Sequence, residues 1–141
     1  MKVKLDKGAV MPNRAHKTDA GLDLFAREYM TVEPRDSVVI DTGVHVAIPE
    51  GYVGFIKSKS GPMVNNDILT DGTIDSGYTG AIKVKLFNHG YSQYHITPGQ
   101  KIAQLVILPI ITPDIELVDS LEETERGSGG FGSTGLYGAS V

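Results

Sequence analysis

The sequence predicts a single all-β domain, a sandwich or barrel, followed by a Gly-rich C-terminal tail. Short runs rich in β-formers recur between clusters of Gly, Pro, Asn and Asp. Helical periodicity is nearly absent, and one shift in composition falls near Asp119. At 141 residues and 15.1 kDa the chain is long enough for one packed core. It has no Cys, which excludes disulfides, thiolate metal sites and Cys nucleophiles, and suits a reducing cytoplasm.

The first ten residues alternate charged and apolar side chains without an apolar stretch of signal-peptide length, so no targeting segment is expected there. The expected strands are residues 37–40, 44–48, 52–57, 81–87, 94–97, 101–108 and 115–118. Within 81–87 the period is two: Ile82, Val84 and Leu86 point one way, and Lys83, Lys85 and Phe87 the other, as in a half-buried strand. The turns are explicit at Pro49-Glu50-Gly51, Asn88-His89-Gly90 and Pro98-Gly99. One short helix is expected around residues 62–66, with Ser60 as its cap and Pro62 in its first turn. The longest apolar run, 105–111, contains Pro109 and is far below the roughly 20 residues of a membrane helix. A net charge of −4 argues against a nucleic-acid partner, because backbone binding needs clustered Lys and Arg.

Beyond Asp119 the chain is acidic and then Gly-rich, with five Gly among residues 127–135. Such a terminus is ordinarily a disordered tail. Arg126 and Phe131 set this one apart, since a guanidinium fork and a flat apolar plate suit the two ends of a nucleotide. The Gly backbone can converge N–H groups on phosphate oxygens, with Ser133 and Thr134 adding hydroxyl donors. A P-loop is excluded: Ser133 stands in place of the Lys, no apolar strand leads in and no helix follows. Upstream, Lys57-Ser58-Lys59-Ser60-Gly61-Pro62 offers cations, hydroxyls and N–H groups after a strand. The stretch from Asp71 to Gly80 is denser in turn residues than a hairpin requires, yet holds Ile74 and Tyr78. His16, His45, His89 and His95 lack metal-ligand spacing and read as surface or turn residues.

In order, these stretches resemble the five motifs of the trimeric dUTP pyrophosphatase family. They are Ala20-Gly21-Leu22-Asp23-Leu24, Ser58-Lys59-Ser60-Gly61, the run from Gly72 to Gly80, the run from Pro98 to Leu105, and the run from Arg126 to Gly135. The resemblance implies a distorted jelly roll over residues 1–118 and a flexible arm over 119–141 that carries the fifth motif. It also implies a homotrimer with active sites at subunit interfaces. The 17 residues from Asp119 to Gly135 can extend roughly 55 Å, enough to reach a neighbouring subunit.

The implied reaction is hydrolysis of dUTP to dUMP and pyrophosphate, with Asp75 as the general base for water attacking the α-phosphorus. Lys59, Ser60, Gly61 and Gln104 would hold phosphates, and Arg126, Ser133 and Thr134 would clamp the γ-phosphate. Tyr78 would exclude a 2′-hydroxyl, with Lys83 near the sugar and phosphate end. Main-chain groups of Leu69, Gly72, Thr73 and Ile74 would meet uracil, on which Phe131 stacks beside Gly132. Mg2+ is implied as a chelate of the triphosphate, with Asp23 supporting it through water. Two residues depart from the family's usual choice: Lys59 stands for Arg, and Leu69 for Asn. The rival dCTP deaminase is disfavoured by the complete fifth motif and by Asp75. A dUTPase-like regulator that binds a protein partner, and a bare structural jelly roll, are the remaining alternatives; the first leaves room for a regulatory protein partner.

Overall fold

In the computed structural model residues 1–135 and 137 are described, and they form eleven strands and one helix. The strands are β1 (Lys2–Leu5), β2 (Gly21–Phe25), β3 (Met30–Val32), β4 (Ser37–Asp41), β5 (Val44–Ala47), β6 (Tyr52–Lys57), β7 (Ile68–Leu69), β8 (Asp71–Ile74), β9 (Lys83–Asn88), β10 (Tyr94–Ile96) and β11 (Lys101–Pro109). The helix, α1, is Ser60–Asn66. A four-stranded sheet runs β2-β11-β6-β8 and a three-stranded one β4-β9-β7, with the ribbons β1-β5 and β10-β3 beside them.

The core lies between these sheets. Alternation on β9 buries Val84, Leu86 and Asn88 and exposes Lys83, Lys85 and Phe87, as the period-two pattern predicts. Leu24, Ile40, Ile56, Ile82, Ile96 and Leu105 are shut off from solvent, each contributing about 2 kcal/mol by leaving water. Asn88 is buried among them and satisfied: its amide donates to the carbonyls of Val32 and Ser92, and its Oδ1 accepts from the Gly90 N–H.

Three expectations need correction. Residues 115–118 form no strand; Ile115 and Leu117 are fully exposed, because β11 ends at Pro109 and no free sheet edge receives them. The residue preceding the helix is Lys59, not Ser60, and no side chain caps it; Pro62 does sit in the first turn. The helix stops at Asp67, which turns left-handed at φ 55. Strands β1, β2, β3, β7 and β8 were not expected as strands. Among the described residues no helix is long and apolar enough to cross a membrane.

Candidate active site

The motif residues gather in three places. The first is a corner where β2, β11 and the end of β6 meet. Asp23 is 3% exposed there, in register with Gln104, which in turn pairs with Lys57. Both Asp23 oxygens face ammonium groups: Oδ1 lies 2.6 Å from Lys59 Nζ and Oδ2 2.7 Å from Lys101 Nζ. Burial opposes ionisation of this carboxyl, but the hydrogen bonds from Lys101 and Lys59 outweigh it and hold its pKa below the ordinary value. Gln104 Nε2 donates to the Ser58 carbonyl at 3.0 Å and so fixes the chain entering the helix. Gly21 makes room for that side chain, since a Cβ there would lie 2.2 Å from Gln104 Oε1. Ser58 Oγ exchanges hydrogen bonds with the Thr70 main chain, tying the second motif to the segment that leads into the third. Ser60 and Gly61 are exposed in the first turn of the helix.

The second place is a cleft of about 210 Å³ lined by Thr73, Ile74, Asp75, Tyr78 and Lys83. Strand β8 is the edge of its sheet, so alternate main-chain N–H and C=O groups face away from β6, where no strand among the described residues pairs with them. Asp75 follows directly, and its carbonyl accepts from the Tyr78 N–H at 3.1 Å. The Tyr78 hydroxyl donates to the Ala81 carbonyl at 3.0 Å, which turns the ring across the cleft. Gly80 permits this, because a Cβ there would lie 2.4 Å from the hydroxyl oxygen. Leu69 lines a different cleft, with Lys57, Met63 and Phe87, and Gly72 lines neither.

The third place is the arm. Arg126, Ser133 and Thr134 surround a hollow of about 590 Å³ with Thr124, Glu125 and Gly129. Successive turns make it: the N–H of Gly127 donates to the carbonyl of Thr124, that of Gly129 to Arg126, and that of Ser133 to Gly130. Arg126 Nε donates to the Gly129 carbonyl at 3.0 Å. Phe131 projects fully into solvent at φ 47, next to Gly132 at φ 97.

These places are separate within one chain. In the β6–β8 pair, Lys57 is opposite Asp71 and Gly54 is opposite Ile74. Three residues along a strand span roughly 10 Å, so the Lys59 corner and Asp75 lie at opposite ends of the pair. Two groups that sequence reasoning left without a role emerge here. Lys101 holds the second oxygen of Asp23. His45, read above as a surface or turn residue, is instead tucked against the loop after Asp75, with Nδ1 2.9 Å from the Thr79 carbonyl. A chain-local pattern could not point to either, since both contacts join residues distant in sequence.

Comparison with known proteins gives one consistent answer. The sequence profile of the dUTPase family matches residues 7–135. A deoxyuridine 5′-triphosphate nucleotidohydrolase of Gloeothece citriformis is 45% identical, the match covering 94% of each chain. One from Clostridium tetani is 44% identical over 96% of each. Among solved structures, the dUTPase of Staphylococcus bacteriophage 80alpha with dUpNHpp superposes with a TM-score of 0.90 at 39% identity, covering 96% of this chain and 98% of that one. A mutant dUTPase of phage phi11 of S. aureus, described with a structural Mg(II) ion, gives 0.81 at 37% identity, covering 86% and 98%. A mostly β chain with one short helix and these motifs is thus of a known kind. It belongs to the dUTPase family.

Proposed function

We propose that this protein hydrolyses dUTP to dUMP and pyrophosphate, keeping uracil out of DNA and supplying dUMP for dTTP synthesis. The observation that carries the assignment is the exposed cleft in which Asp75, Tyr78 and Lys83 converge beside an unpaired strand edge. That edge suits a base: N–H and C=O groups of Thr73 and Ile74 can pair with uracil, and a cytosine presenting the wrong donors would leave buried groups unpaired. With Leu69 on another cleft and Gly72 on neither, the groups nearest the base in this cleft are those of Thr73 and Ile74. Tyr78 lies against the deoxyribose and crowds out a 2′-hydroxyl. Asp75 orients water and takes its proton as the water attacks the α-phosphorus.

The phosphates meet Lys59, Ser60, Gly61 and Gln104, and Lys83 lies toward the sugar. Asp23 acts first as the anchor that aims Lys59. The metal of this reading is one carried by the substrate, since Mg2+ keeps most of its waters and takes few carboxylates. Mg2+ bound with the triphosphate supplies charge neutralisation there. Asp23 would approach it through water once Lys59 turns to the phosphates.

The base and the phosphate corner lie at opposite ends of β6–β8, so a site that draws the two from different copies fits the register. This separation supports a homotrimer of jelly-roll bodies, residues 1–118, with each site at an interface and closed by an arm, residues 119–141. In the arm Arg126, Ser133 and Thr134 clamp the γ-phosphate, and Phe131 beside Gly132 covers uracil. Ordering of the Gly run is then offset by phosphate contacts. The absence of Cys suits a cytoplasmic enzyme. The test is incubation with Mg2+ and, separately, dUTP, UTP, dTTP and dCTP, following pyrophosphate and the base. Pyrophosphate from dUTP alone is the expected result; loss of the amine from dCTP would instead establish a deaminase.

A further inference from the structure

Between β8 and β9 the chain makes a loop, residues 75–81, that carries both Asp75 and Tyr78. Its entry is fixed where Ile74 pairs with Gly54. Its exit is fixed by Ile82, whose N–H donates to the Val44 carbonyl at 2.8 Å and whose carbonyl accepts from the Thr42 N–H and hydroxyl. Between these anchors the loop's other contacts are internal turns, Tyr78 N–H to Asp75 and Tyr78 hydroxyl to Ala81. Among the described residues, His45 is the one side chain from outside the loop that hydrogen-bonds to it.

The chemistry of that contact is constrained from both sides. The Thr79 carbonyl can only accept, so Nδ1 of His45 must donate to it at 2.9 Å. On the other side Nε2 faces Asp6 Oδ1 at 3.2 Å, an ion-pair distance without the alignment of a hydrogen bond, and the imidazole is 18% exposed. A bare Nε2 lone pair would there oppose a carboxylate, whereas an N–H would attract it. Both neighbours therefore favour the doubly protonated ring. We propose that His45 is a positioning residue of this reaction: as an imidazolium held between Asp6 and the Thr79 carbonyl, it clamps the loop of Asp75 and Tyr78 to the β1–β5 ribbon.

The surroundings set how the clamp responds to pH. The Thr79 hydrogen bond and then Asp6 raise the His45 pKa above its ordinary value, and partial burial and Lys4, its cross-strand partner, pull the other way. Arg27 and Lys4 act on Asp6 in turn, helping to keep it ionised. A raised imidazole pKa means that the clamp is complete below it and weakens as pH rises through it.

The inference rests on the roles proposed for Asp75 and Tyr78, so its test has one arm that reads activity and one that does not. His45→Leu and wild type are compared for kcat and KM on dUTP between about pH 6 and pH 9, and for amide exchange at residues 78–80. Wild-type kcat is expected to decline on the alkaline side. His45→Leu is expected to lose about tenfold in kcat near neutrality, the size of one lost hydrogen bond. It should lack the alkaline decline, change KM less, and exchange its loop amides faster. An active wild type with His45→Leu unchanged in both kcat and loop exchange would overturn the inference alone. No dUTP hydrolysis by the wild type would remove the functional assignment, and this inference with it. Should His45→Leu not fold, Asp6→Asn at a half-exposed site carries the test: the alkaline decline should move to lower pH, and an unmoved one would overturn the proposal.

Discussion

The Asp23 corner and the arm, the two places proposed to meet phosphates, gather their charged groups by opposite means. At the corner, one buried carboxylate on β2 holds Lys59 from the end of β6 and Lys101 from β11, with Gln104 latching the Ser58 carbonyl. The contacts there join β2 and β11 to each other and to the connection after β6, so residues distant in sequence hold the geometry before any ligand arrives. In the arm, Arg126, Ser133 and Thr134 are exposed, and the described hydrogen bonds are turns between residues a few positions apart. A site preorganised by cross-strand packing binds; a segment held only by local turns can open and close. The comparison teaches that the corner is tied by contacts between residues distant in sequence and the arm by local turns, which suits the anchoring and covering roles proposed for them.

Breaking the reacting group itself gives the largest expected effect. Asp75→Asn should lower kcat about 1,000-fold without moving Tm, since it removes a general base from an exposed position. Ending the chain at Glu125 should cost about 100-fold in kcat/KM for dUTP, again at unchanged Tm, because none of the arm's described residues belongs to the core. Asp23→Asn reverses the pattern: it leaves Lys59 and Lys101 facing each other without their anion, and should cost about 2 kcal/mol in a urea titration. A pH series sharpens this. The folded-state pKa of Asp23 is depressed, so its stabilisation is present above the unfolded value near about 4 and is lost as pH falls through the folded value. Wild type should therefore lose more stability than Asp23→Asn below about pH 4. The smallest effect is expected from Gly80→Ala, whose Cβ displaces the Tyr78 hydroxyl and should narrow the preference for dUTP over UTP about tenfold, read from the two kcat/KM values.

What the sequence made legible follows the same division. The long alternating strand around β9, the extended β11, the turns at Gly51 and Gly99, and the single short helix all carry local signals, and the structure has them. Strand β8 was hidden because Asp71-Gly72-Thr73 has turn composition and only pairing with β6 extends it, and β7 because it is two residues long and its partner is the distant β9. Strand β1 was hidden because its one partner is the distant β5, and residues 115–118 misled because apolar alternation without a receiving edge makes no strand. The motif residues could be named from sequence, but their distribution over three places could not. That distribution depends on register, which sets Asp75 and Lys59 at opposite ends of β6–β8. Lys101 and His45 show the same limit, since their importance lies wholly in partners far along the chain.

The proposed interface site, in the form where an arm reaches over a neighbouring copy's base as its length allows, can be tested by mixing two inactive chains. Asp75→Asn keeps the arm and lacks the base; the chain ending at Glu125 keeps the base and lacks the arm. Unfolded together and refolded, they should form mixed oligomers in which about a quarter of the sites join a working base to a working arm, and dUTP hydrolysis should return to about that fraction of wild type. Activity no higher than the sum of the two variants refolded alone, with mixed oligomers present, would place base and arm in one chain and contradict the proposal.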